Sequence, residues 1–205
     1  IWRDRLMSIS WFMRVINERL ARKANQEDNC SGRFWEGRFK AQALLDEKGL
    51  IACMAYVDLN PIRAKLAKKP EESNFTSIKK RIEYIKKSYN NPSIAKQPNA
   101  LFPFIGNTGS EENLQGLPFH LEDYLLLLDW TGRALYDKKY GTIPNNVAPI
   151  LLRLNIEPTQ WLLTSKHFES RFPSLVGMVI SIKVACTNLN QHWAHGISSA
   201  RLLFG

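Results

Sequence analysis

The chain has 205 residues, 44% hydrophobic and 23% charged, with a formal net charge of +9. That is the composition of a globular protein long enough for one large domain or two small ones. No apolar run approaches the ~18 residues that cross a bilayer, and no signal-peptide pattern opens the chain. Cys30, Cys53 and Cys186 stand at wide, unpatterned spacings. They point to a reducing compartment, so a cytoplasmic location without membrane attachment is expected.

The charge is unevenly placed. Residues 1–100 hold 20 Lys and Arg against 11 Asp and Glu, whereas residues 101–205 hold 8 of each. Such an asymmetry is expected where one half meets a polyanion. A solvated basic face kept for solubility gives the same count.

Residues 3–24 predict an amphipathic helix, with Leu6, Ile9, Met13, Ile16 and Leu20 on one face. The polar stretch from Asn25 to Gly32 should end it. From Arg38 the sequence alternates: Arg38, Lys40 and Gln42 on one side, Phe39, Ala41 and Ala43 on the other. That period of two predicts a half-buried strand with a basic outer face. Residues 48–59 predict a second helix with Leu50, Met54 and Val57 as its core stripe. A helical turn over 62–66 and a basic helix over 77–87 follow. Residues 88–118, rich in Pro and Gly, predict a linker between modules 1–87 and 119–205. Beyond it, helices are expected over 121–137, 147–154, 158–169, 175–190 and 193–204.

The most specific stretch is Tyr56-Val57-Asp58-Leu59-Asn60-Pro61-Ile62-Arg63-Ala64, preceded by Gly32, Trp35, Arg38, Phe39 and Lys40. Over residues 8–67 this order resembles the REP-associated branch of the single-tyrosine (HUH-type) transposases. In that family a Gly-x-x-Trp-x-x-Arg-Phe-Lys-like strand precedes a helix ending in Tyr-x-x-x-Asn-Pro-x-Arg-Ala. The resemblance implies a fold of α+β class, predominantly helical in this chain: a partial ferredoxin-like transposase core followed by an all-α C-terminal domain. It implies DNA transposition by cleavage and joining of single-stranded or hairpin DNA. Tyr56 is then the nucleophile and forms a 5′-phosphotyrosine. It further implies a Mg²⁺ or Mn²⁺ cofactor, with Asn60 as one ligand. Several relatives are dimers, so a homodimer is among the arrangements it allows.

The chemistry is coherent. A positioned hydroxyl can attack a phosphodiester and stay attached. Phenol is a poor nucleophile near neutral pH, so a cation on the phosphate has work to do. Asn60 follows Tyr56 by four residues, which places the two side chains about 6 Å apart on one helix face. That face also holds Ala52 and Cys53 and points away from the expected core stripe, toward a site. Each residue also has a plainer reading. A helical tyrosine is usually a core residue, and Asn before Pro is a common N-cap arrangement.

Arg33, Arg38, Lys40, Arg63 and Lys65 surround the motif, interleaved with Trp35 and Phe34. Cations beside aromatic platforms suit single-stranded DNA, although the aromatics could equally pack the first helix. Lys79, Lys80, Arg81, Lys86 and Lys87 form a second basic cluster, either a solvated helix face or a DNA contact. The family's His-x-His pair has no counterpart: the histidines are His120, His167, His192 and His195. That pair is expected ahead of residue 1. Two other readings stand beside the transposase: a non-catalytic DNA-binding remnant, and a helical interaction protein acting through 119–205.

Overall fold

The computed structural model describes residues 2–91, 97–106, 115–136 and 149–205. It divides into two compact units, residues 1–41 and 42–205. Among the described residues, no helix is long and apolar enough to cross a membrane.

In the first unit, helices α1 (Trp2–Leu6) and α2 (Ile9–Glu27) replace the single helix expected over 3–24. The break falls at Ser8, which takes extended dihedrals as the N-cap of α2. Serine leaves the helical conformation readily because its hydroxyl competes for backbone groups. The apolar face is not buried in either helix, although Met13 and Ile16 are partly covered. After α2 the chain turns through Asn29 in the left-handed region. Trp35 Nε1 then donates to the carbonyl of Asn17 at 3.0 Å.

The strand expected from Arg38 does not extend that far. Among the described residues its ladder is confined to β1 (Ala43–Leu44), in the second unit, which pairs in parallel with β2 (Leu175–Val176). Alternation supplies two faces but cannot supply a neighbour, and a strand exists only where a ladder partner does.

Among its described residues the second unit is mainly helical, with that small sheet and an isolated bridge between Phe104 and Leu117. Its helices are α3 (Glu47–Asp58), α4 (Asn60–Arg63), α5 (Ser77–Asn90), α6 (Leu121–Tyr136), α7 (Pro149–Arg153), α8 (Pro158–Arg171), α9 (Val179–Asn188) and α10 (Ile197–Phe204). Asp46 caps α3, accepting from Gly49 N at 2.9 Å and from Met178 N at 2.6 Å. One carboxylate thus fixes the start of α3 against the segment after β2. Gly49 lies so close to β2 that a Cβ there would stand 2.5 Å from the carbonyl oxygen of Val176.

These contacts redraw the expected module boundary. Ile51, Leu59, Ile62 and Ile78 share one core with Tyr124, Leu127, Trp161, Phe168, Val176 and Leu203. Residues on both sides of 88–118 therefore belong to one packed unit, and 175–176 give the C-terminal part a strand. Within the expected linker, 92–96 and 107–114 lie outside the described residues, as do 137–148. The described part is anchored: Phe104 is buried, its N–H donates to Gln97 Oε1, and Phe104 bridges Leu117.

The core face of α3 also differs from expectation. Ile51, Ala52 and Ala55 are buried, with Leu59 and Ile62 continuing the stripe, whereas Val57 is 59% exposed. Leu50 and Met54 are only partly buried. Gly49, Ala52 and Ala55 are small, so α8 and β2 approach α3 closely on the side a hydrophobicity count ranks lowest.

Candidate functional site

Tyr56 lies in the last turn of α3, and Asn60 and Arg63 are the first and last residues of α4. Leu59 is the N-cap of α4 and Pro61 stands in its first turn. Asn60 is therefore not the cap, and its amide is available for other work. Arg63 takes it: Nη2 donates to Asn60 Oδ1 at 3.0 Å and to the main-chain oxygen of Tyr56 at 3.0 Å. The guanidinium carbon also lies 3.5 Å from the centroid of the Tyr56 ring. A group that close fills one face of the ring, which leaves the other to Phe168, stacked at a centroid distance of 5.1 Å.

The motif residues Tyr56, Asn60 and Arg63 thus come together. Tyr56 is half-buried and does not face away from all packing. Its aromatic neighbour comes from α8, far along the chain, and no sequence motif marks it. Lys65 ends the motif in the left-handed region with φ 59° and is exposed. Arg33, Trp35, Arg38 and Lys40 belong to the other compact unit, where all four are exposed.

The donors present do not fit a divalent cation. Asn60 Oδ1 already accepts from a guanidinium, and a single neutral amide does not hold Mg²⁺ against its hydration shell. Among the described residues, no three His, Cys, Asp or Glu side chains are grouped so as to hold a metal ion. His195 packs edge-on against Trp193, with ring centroids 4.6 Å apart.

Asp58, inside the same motif, has a different task. It is 3% exposed and accepts from Tyr124 Oη at 2.8 Å, from Ser77 Oγ at 2.9 Å and from Ile78 N at 3.2 Å. It therefore joins α3 to α6 and to the first turn of α5, where backbone N–H groups favour an anion. Burial pushes its carboxyl above the usual range, although these hydrogen bonds and the Arg81 charge oppose the rise. The Tyr124 hydroxyl is held well above its ordinary value by burial and by the Asp58 charge. Arg81, read from sequence as part of a surface cluster, is buried. It donates to the carbonyl of Phe102 at 2.9 Å, and desolvation lowers its pKa.

Two open grooves share residues 74–77, and one of them reaches the motif. One, of about 480 Å³, is lined by Cys53, Met54, Val57, Asp58, Asn60 and Pro61 together with residues 74–77. The other, of about 730 Å³, is lined by the same residues 74–77 and by Lys79, Lys80, Glu83, Tyr84 and Lys87. Compared with protein-family models, with curated proteins and with solved structures, the chain matches none.

Proposed function

We propose that this chain binds single-stranded DNA and belongs to a single-tyrosine transposase, with Tyr56 as the residue that attacks the phosphodiester. The observation that supports this most is the cluster of Tyr56, Asn60 and Arg63 at one helix–helix junction. An arginine over the tyrosine ring places a permanent positive charge beside the phenol. In this reading the chain carries part of a ferredoxin-like core, and Arg33, Arg38, Lys40, Arg63 and Lys65 neutralise phosphates.

The step itself is a displacement at phosphorus. Tyr56 Oη forms a bond to phosphorus as the P–O3′ bond breaks. The 5′-phosphate stays on the tyrosine, the phenolic proton passes to solvent, and the departing 3′ oxygen takes up a proton. An ordinary phosphodiester also needs its developing charge stabilised. Because the donors here do not fit a divalent cation, this chain alone is expected to bind DNA without cleaving it.

A second reading, DNA binding without chemistry, is favoured by one observation: the Asn60 amide is committed to Arg63. Both readings require binding, which affinity for single strands and duplex against salt concentration tests. Preference for the single strand, with affinity falling as salt rises, is the expected result. Salt-independent binding, or none below millimolar, contradicts both readings.

A further inference from the structure

Phe75 combines two unfavourable features. Its side chain is fully exposed, and its backbone sits at φ 62°, a region costly for any residue with a Cβ. Strain held at an exposed aromatic calls for a functional account. Its surroundings provide one. Phe75 belongs to the 74–77 segment shared by the two grooves. On one side the groove reaches Asn60 and Pro61 of the tyrosine motif. On the other it carries Lys79, Lys80 and Lys87 beside Glu83, while Asp58 lines the motif side.

We propose that the two grooves form one path for a single nucleic-acid strand, with Phe75 as the platform on which a base stacks. Lys79, Lys80 and Lys87 meet the phosphates beyond it. The choice of a nucleic acid over an acidic peptide rests on the alternation of rings and cations. Phe75 is followed by Lys79 and Lys80, then by Tyr84, whose ring lies 5.8 Å from Lys87 Nζ. Aromatic faces interleaved with cations are what a strand of bases and phosphates requires. Lys79 is oriented by a hydrogen bond to Asn74 Oδ1. With Arg81 buried, the lysines are what remains of this helix's cationic surface on that groove. The path rests on the single-strand reading above and adds residues outside the tyrosine motif.

The test is the affinity of a labelled oligothymidylate of about twenty nucleotides, read by anisotropy over a salt series. The proteins are the wild type, Phe75→Ala, Phe75→Gly and the triple variant K79A/K80A/K87A. Both Phe75 variants should bind about tenfold more weakly with an unchanged salt slope, within the range of one base stack removed. The triple variant should lower the slope by about 2, roughly 0.7 for each phosphate that is no longer neutralised. Phe75→Gly should also raise the thermal midpoint, because glycine accepts this backbone without strain. A merely structural role for Phe75 would instead couple weaker binding to lower stability. Wild-type affinity in both Phe75 variants, or tighter binding of polyglutamate than of oligothymidylate, overturns the path alone. Failure of the wild type to bind any single strand overturns the path and the reading beneath it together.

Discussion

The guanidinium of Arg63 covers the ring of Tyr56 at 3.5 Å while bonding to the carbonyl of the same residue at 3.0 Å. Tyrosine position and arginine position are thereby set together. Arg63→Ala should remove both interactions and lower stability by about 1–2 kcal/mol, as read by urea unfolding. It should also weaken single-strand binding. Arg63→Lys should recover charge but not geometry, since an ammonium cannot lie flat on the ring while reaching two acceptors. Full recovery by lysine would show that only charge matters here.

Asp58 predicts a pH dependence of stability. Its folded-state pKa is raised, chiefly by burial, so the folded chain holds the proton more tightly than the unfolded chain does. Its stabilising contribution is full below the ordinary carboxylate range. It is lost as pH rises through the raised value. Against Asp58→Asn, the wild type should therefore lose stability over that window and run parallel above it. Tyr124→Phe removes a hydrogen bond that lowers the Asp58 pKa, so it should carry the loss to higher pH and cost about 1–3 kcal/mol. Parallel curves across the whole window would contradict this behaviour.

Gly49 tests whether the segments before and after 88–118 fold as one. Gly49→Ala places a methyl 2.5 Å from Val176 O, which forces β2 away from α3. A loss of about 1–3 kcal/mol is expected, with one shifted transition for residues 42–205. Two transitions, of which only the earlier moves, would restore the separate modules that the Pro- and Gly-rich stretch predicts.

The cysteines should alkylate in order of access. Cys30 is exposed, Cys53 is intermediate and Cys186 is buried. Burial also raises the Cys53 pKa, which leaves less of the reactive thiolate. Mass spectrometry of iodoacetamide-treated protein should find Cys30 modified first and Cys186 last. Early modification of Cys186 would mean that the core around α9 is not packed as described.

Much of the helical layout was legible in the sequence because periodicity and caps act locally. The basic helix starts at Ser77 and the helix after the linker at Leu121, both as the sequence predicts. What failed were inferences that needed a partner. The strand from Arg38 shrank to Ala43–Leu44 because its neighbour, Leu175–Val176, comes from far along the chain. The stripe Leu50–Met54–Val57 lost to Ile51, Ala52 and Ala55 because close approach favours small residues that a hydrophobicity pattern undervalues. At the site, the spacing of Tyr56 and Asn60 predicts that they lie near one another. Neither the bond from Arg63 to Asn60 nor the stacking of Phe168 on Tyr56 could be read from it. Arg81 looked like its lysine neighbours, and only packing sets it apart.

The most direct test of Tyr56 as the attacking residue removes the need for help with the leaving group. A single-stranded oligonucleotide with a 3′-bridging phosphorothiolate releases a thiolate, which leaves far more readily than an alkoxide. Incubated with this chain, it should form an adduct that survives denaturing electrophoresis and maps to Tyr56 by peptide mass spectrometry. Tyr56→Phe should abolish the adduct and leave binding intact, because only the oxygen is removed. The same oligonucleotide with an ordinary phosphodiester should bind without reacting. An adduct that persists in Tyr56→Phe, on Tyr84 or Tyr89 for instance, or no adduct from a chain that binds the strand, would contradict the role assigned to Tyr56.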